Sequence, residues 1–201
     1  MKLTASLTSP YARKIRILLA EKHMPFELVV DSPWETATSV PALNPLGKVP
    51  VLETEEGETF FDSPVIAGYL EALDHPPHLI PADNMAAVRV RQTEALADGI
   101  LDAAVLAYLE TLRPAEARMA SNVARQHDKI ERALIRLEAQ LTGDWFHGER
   151  ISLADIAVGC ALEYLDLRAP ELNWRARHPR LKAFLAKLGA RDSFASTRPP
   201  A

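Results

Sequence analysis

Ser9-Pro-Tyr-Ala-Arg-Lys-Ile-Arg16 opens a helix at the point where a strand has just closed. Serine is a preferred N-cap, and proline at the first helical position gives up only an N–H that a helix start leaves unpaired. Tyr11, Ile15, Leu18 and Leu19 recur at helical spacing until Pro25 forbids continuation past Met24. Upstream, Lys2–Leu7 alternates as a short strand; downstream, Phe26–Val30 reads as a second. Val49-Pro-Val-Leu52 and Thr59-Phe-Phe61 flank Glu55-Glu-Gly57, a hairpin with a glycine turn. Asp62-Ser63-Pro64 repeats the cap-plus-proline signal and opens a helix through Val65, Ile66, Tyr69 and Leu70. The order is β-α-β, a polar loop, then β-β-α.

Beyond this segment the composition changes. Ten of the 15 prolines lie in the first 81 residues, whereas 23 alanines follow Ala82 and only 8 precede Asp83. The break falls at His75-Pro-Pro-His-Leu-Ile-Pro81, whose prolines deny the backbone helical hydrogen bonds. Residues 1–76 therefore form a mixed α/β domain, 77–83 a linker, and 84–201 an all-helical domain. Helical patterns run from about Asn84 to Leu109, Pro114 to Leu141, Ser152 to Leu165 and Pro179 to Ala190. Ser152-Leu-Ala-Asp155 has capping-box spacing, with Ile151 and Ile156 placed as a hydrophobic staple.

The net charge of −4 gives no electrostatic reason to expect nucleic acid. The longest run free of Asp, Glu, Lys and Arg is Thr36–Gly47, short of the ~18–20 residues of a membrane helix. Arg13, Lys14 and Arg16 interrupt any signal-peptide layout. Cys160 is the one cysteine, so no intrachain disulfide and no Cys-x-x-Cys motif exists, and a cytoplasmic location is expected. Cys160 lies in the apolar run Ile156–Leu162 and reads as a core residue. The six histidines lack ligand spacing, and no metal is expected.

Four segments together resemble a cytosolic glutathione S-transferase of the bacterial, serine type: Ser9–Arg16, Asn44-Pro-Leu-Gly-Lys-Val-Pro-Val-Leu52, Asp62-Ser63, and Gly148-Glu-Arg-Ile-Ser-Leu-Ala-Asp-Ile-Ala157. The likeness covers nearly the whole chain. It implies a thioredoxin-like N-terminal domain (β-α-β-α-β-β-α), an all-helical C-terminal domain, and glutathione as co-substrate. Carried over residue by residue, it assigns Ser9 as the catalytic donor to the glutathione sulfur. Lys48, Val49, Pro50, Asp62 and Ser63 then hold the tripeptide. Pro50 is expected to follow a cis bond that leaves the Val49 backbone to pair with the cysteinyl main chain. Asp62 meets the γ-glutamyl ammonium, and Ser63 the γ-glutamyl carboxylate.

Each of these residues also has a plain structural reading: Ser9, Asp62 and Ser63 as caps, Pro50 as a loop proline, Lys48 as a solvated lysine. Tyr11 is an alternative source of the hydroxyl. The physical case for Ser9 is that a helix start gathers unpaired donors and positive dipole, which favour a thiolate over a thiol of pKa ~8.5. The resemblance further implies conjugation of an electrophilic, largely apolar small molecule, a detoxification role, and a second-substrate pocket walled by Tyr11, Leu101, Ala104, Tyr108 and Tyr164. It implies a homodimer through Ser63–Leu73 and Met85–Ala97, including Arg89 and Gln92. A non-catalytic scaffold of the same fold is the competing function.

Overall fold

The computed structural model describes residues 1–200. Two compact units emerge: the chain up to Ile80 together with Arg191 onward, and Pro81–Ala190. The division falls inside the expected linker. The helical unit, however, closes at Ala190 rather than running on to the C-terminus.

In the first unit, β1 (Lys2–Ala5), α1 (Pro10–Glu21) and β2 (Glu27–Val30) form a β-α-β unit with β1 and β2 parallel. A short α2 (Val40–Leu43) precedes the hairpin β3 (Val51–Glu53) and β4 (Thr59–Phe60), and α3 (Ser63–Ala72) follows. The sheet order is β2-β1-β3-β4, with β3 antiparallel to both neighbours. Gly57, at φ 83°, makes the hairpin turn that its lack of a Cβ permits. The core joins Leu3, Leu52, Ile15, Leu18, Leu19, Ile66 and Leu70, all without exposed surface. At ~1.5–3 kcal/mol for each fully buried large apolar side chain, this face dominates the unit's stability.

Lys22, also without exposed surface, directs its ammonium at Glu71 Oε1 (3.0 Å) and the carbonyls of His75 (2.6 Å) and Pro77 (3.0 Å). Three acceptors for three donors make its burial tolerable. The same contacts fasten the proline-rich segment after α3.

The first unit is completed by α9 (Asp192–Ala195) and the residues after it. Arg191 and Ser193 bond Glu21, Arg13 donates to the Phe194 carbonyl (3.2 Å), and Phe194 is fully buried.

The helical unit contains α4 (Asn84–Thr111), α5 (Ala120–Gln140), α6 (Leu153–Arg168), α7 (Trp174–Arg177) and α8 (Pro179–Gly189). Helix α4 packs on both α5 and α6, and α8 on α5 and α6. Ten consecutive positions of α6, Leu153–Leu162, run buried, which places it at the centre of the unit. The helix expected from Pro114 starts instead at Ala120. Pro114 is extended, Ala115–Ala117 form one 3₁₀ turn, and Glu110 Oε1 accepts from the Met119 N–H at 2.7 Å. That carboxylate shapes the turn between the long helices.

Candidate functional site

The sheet register brings three expected stations to one end of the first unit. Thr4 pairs with Val51 and Leu52 with Phe60. Followed two residues beyond these pairs, β1 leads toward Ser9, β3 begins from Val49-Pro50, and β4 runs into Asp62. Residues far apart in sequence thus leave the sheet at the same edge.

Ser9 is the N-cap of α1, with extended backbone (φ −74°, ψ 119°). Its Oγ accepts from the Ala12 N–H at 3.2 Å, and its carbonyl accepts from the Arg13 N–H at 2.9 Å. A hydroxyl that accepts a hydrogen bond still carries one O–H to donate. Tyr11, two residues on, is half-buried.

The Val49–Pro50 peptide is cis. Val49 and Pro50 are buried, and the Val49 main chain precedes the paired residues of β3. Asn44, which sequence reasoning quoted but gave no role, organises the approach to this bond. Its Nδ2 donates to the Lys48 carbonyl (2.9 Å), its Oδ1 accepts from the Leu46 N–H (3.0 Å), and its carbonyl accepts from the Gly47 N–H (2.8 Å). Asparagine ahead of Pro-Leu-Gly is the signal that would have revealed it, since Asn side chains readily close such turns. Lys48 itself is exposed.

Asp62 caps α3, its Oδ1 accepting from the Ser63 N–H. The Phe61–Asp62 peptide is also cis. The Ser63 hydroxyl is buried and has no hydrogen-bond partner among the described residues. It lies at the start of a ten-residue helix whose dipole favours an anion.

In the helical unit, Leu101 and Ala104 are buried, Tyr164 is 8% exposed, and Tyr108 is half-buried. Leu101 and Ala104 therefore present almost no surface, whereas the two tyrosines meet a residue that sequence reasoning passed over. Arg168 lies with its guanidinium carbon 4.2 Å above the Tyr108 ring. Burial pushes the Tyr164 phenol up, opposed by the charge and hydrogen bonding of Arg168.

Asp155 is buried and accepts from the Phe146 N–H (2.9 Å), the Ser152 N–H (2.8 Å) and the Ser152 hydroxyl (2.7 Å). Burial raises its carboxyl above the usual range, and those donors hold it back. His147 beside it bonds Thr93 (2.9 Å), and burial lowers its imidazole. This group closes the α6 N-terminus. Cys160 is buried in α6. Arg89 and Gln92 are exposed, as are Val65, Leu73, Met85 and Val88.

Among the described residues, no helix is long and apolar enough to cross a membrane, and no group of three or more His, Cys, Asp or Glu is placed to hold a metal ion.

The family models of the glutathione S-transferase N-terminal and C-terminal domains match residues 8–73 and 102–187. Together with the β-α-β-α-β-β-α unit and the helical unit, these matches show that the chain belongs to the glutathione S-transferase family. The GST-like protein YibF of Escherichia coli (strain K12) is 44% identical over 200 residues, covering 100% of this chain and 99% of that protein. A glutathione S-transferase of Methylobacterium radiotolerans JCM 2831, in complex with glutathione sulfonate, is 47% identical with TM-score 0.95 and covers 100% and 95% of the two chains. One from Methylobacillus flagellatus KT, with glutathione bound, is 44% identical with TM-score 0.93, covering 99% of each chain.

Proposed function

We propose that this chain is a glutathione transferase: it binds glutathione on its first unit and conjugates the thiolate to an electrophilic, largely apolar small molecule. The observation that carries the reading is the buried, partnerless Ser63 hydroxyl at the start of α3. An unmade hydrogen bond there costs about 1–3 kcal/mol, which the γ-glutamyl carboxylate would recover. The glutathione-bound relatives support the same ligand.

In this reading Ser9 donates its free hydroxyl proton to the glutathione sulfur, with the α1 N-terminus adding positive potential. A thiol of reference pKa ~8.5 is then held as the nucleophilic thiolate near neutral pH. Val49 offers its main chain to the cysteinyl residue, alongside a buried Pro50. Asp62 offers its Oδ2 to the γ-glutamyl ammonium, and exposed Lys48 faces the glycyl carboxylate. The electrophile leaves as a thioether of glutathione, the outcome of a detoxifying conjugation in the cytoplasm.

A homodimer belongs to the same proposal. Val65 (50% exposed) and Leu73 of the first unit, and Met85, Val88, Arg89 and Gln92 of the second, are open to solvent on the segments expected to take part in a two-fold contact. Sedimentation equilibrium at micromolar concentration should give about twice the 22.2 kDa chain mass.

Calorimetric titration with glutathione, followed by a spectrophotometric assay on a panel of generic electrophiles, tests the proposal. Binding with turnover supports it. Binding without turnover on any electrophile would favour the scaffold, and absence of binding would remove the site.

A further inference from the structure

We propose that Arg168, Tyr108 and Tyr164 form an oxyanion-receiving site on the helical unit, so that the electrophile this chain takes carries a carboxylate. The proposal rests on the glutathione-transfer reading for its reaction. Its recognition chemistry rests on three side chains of a single unit.

Arg168 is the last residue of α6, and Tyr164 lies one turn before it on the same face. The Arg168 guanidinium carbon sits 4.2 Å from the centroid of the Tyr108 ring of α4, inside the ~6 Å range of cation–π attraction. A guanidinium held over a ring by its charge keeps its N–H donors for other partners, and one of them meets the Tyr164 hydroxyl. Another, Nε, is buried and has no partner among the described residues.

The neighbouring arginines behave differently. Arg175 closes its fork on Asp166 at 3.0 and 2.6 Å, and Arg177 meets Glu131 at 2.7 Å. No carboxylate stands within ion-pair distance of Arg168 among the described residues. A cation at a helix C-terminus is favoured by the dipole. That accounts for a positive charge there, but not for a guanidinium placed over an aromatic ring with a buried donor unfilled.

A planar carboxylate is the natural complement to such a fork, since it accepts two parallel N–H bonds. The Tyr164 hydroxyl, already under the influence of Arg168, supplies a further donor. The acid group is a handle and does not react. Glutathione sulfur forms the C–S bond at the electrophilic carbon. With a chloronitrobenzoate, chloride leaves with its bonding pair, and the thiol proton passes to solvent.

The test compares a chloronitrobenzoate with its methyl ester, each kcat/KM divided by the uncatalysed rate with glutathione. Wild-type protein should prefer the acid, and Arg168→Gln should lower the acid-to-ester ratio by about ten- to a hundredfold, the loss of a charge-assisted contact. Arg168→Lys keeps the charge without the fork and should still lower the ratio, so it carries the test if Arg168→Gln melts early. An unchanged ratio in both variants overturns the proposal.

Direct calorimetric titration with nitrobenzoate and its methyl ester separates this failure from that of the glutathione reading. Acid binding that is lost in Arg168→Gln upholds the site even if neither compound is turned over. Equal binding of acid and ester, or no acid binding, overturns it even if glutathione binds.

Discussion

Arg191 donates two hydrogen bonds to Glu21, 2.7 Å to Oε1 and 2.6 Å to Oε2, and so fastens residues 170 positions apart. Ser193 donates to the same carboxylate. Burial on its own would raise the Glu21 carboxyl, but the bonds from Arg191 and Ser193 and the charge of Arg191 outweigh it and leave the pKa below the ordinary value.

A carboxyl with a depressed folded-state pKa contributes stability above its unfolded value of ~4.3 and loses it as pH falls through the folded value. Arg191→Ala should therefore destabilise the protein by about 1–2 kcal/mol at neutral pH, a range reduced for the partial exposure of Arg191. The gap between wild type and variant in denaturant melts should narrow as pH falls below ~4.3 and through the folded-state value of Glu21. A gap that keeps its full size down to the acid limit of folding would mean that the pair is not its source.

Asp155 is expected to be a folding determinant with no part in the chemistry. Asp155→Ala leaves the Phe146 N–H, the Ser152 N–H and the Ser152 hydroxyl without their acceptor in a buried setting. The cost should be about 2–4 kcal/mol in chemical denaturation, with kcat of the remaining folded protein near wild type. A variant of unchanged stability and lost turnover would reverse the assignment.

The elements that sequence made legible are those with local signals. Ser9-Pro10, Asp62-Ser63-Pro64 and Ser152–Asp155 cap helices where expected, and the proline cluster at 75–81 lies at the division between units. The return of Arg191, Ser193 and Phe194 to α1 had no such signal, because its partners, Glu21 and Arg13, lie 170 or more residues away. Pro114 illustrates a different limit. It suits a helix start, but Glu110 captures the Met119 N–H and delays the helix to Ala120. Arg168 carried no local signal, since its place over the Tyr108 ring depends on packing between α4 and α6.

Ser63→Ala separates a ligand contact from a cap. Its Oγ has no partner in the free protein, so removing it should leave stability unchanged or raise it by up to about 1 kcal/mol. Glutathione affinity should fall by roughly ten- to a hundredfold, the loss of a charge-assisted hydrogen bond of about 1.5–3 kcal/mol. As that bond is made equally in ground and transition states, KM should rise while kcat holds. Thermal melts with calorimetric titration read both quantities. Lower stability with unchanged affinity would mark Ser63 as purely structural.

The central claim is that the Ser9 hydroxyl, which accepts from Ala12 and has its own proton to give, stabilises the bound thiolate. The direct measurement is the pKa of the glutathione thiol in the complex, followed by thiolate absorbance across pH in wild type and Ser9→Ala. One charge-assisted hydrogen bond of about 1.5–3 kcal/mol predicts a rise of about one to two pKa units in the variant. The neutral-pH rate should fall by roughly one to two decades and recover toward high pH. The comparison is made on folded protein, since the lost cap costs about 1 kcal/mol. An identical thiol pKa in wild type and Ser9→Ala would contradict the account, and a matching rise in Tyr11→Phe would transfer the role to Tyr11.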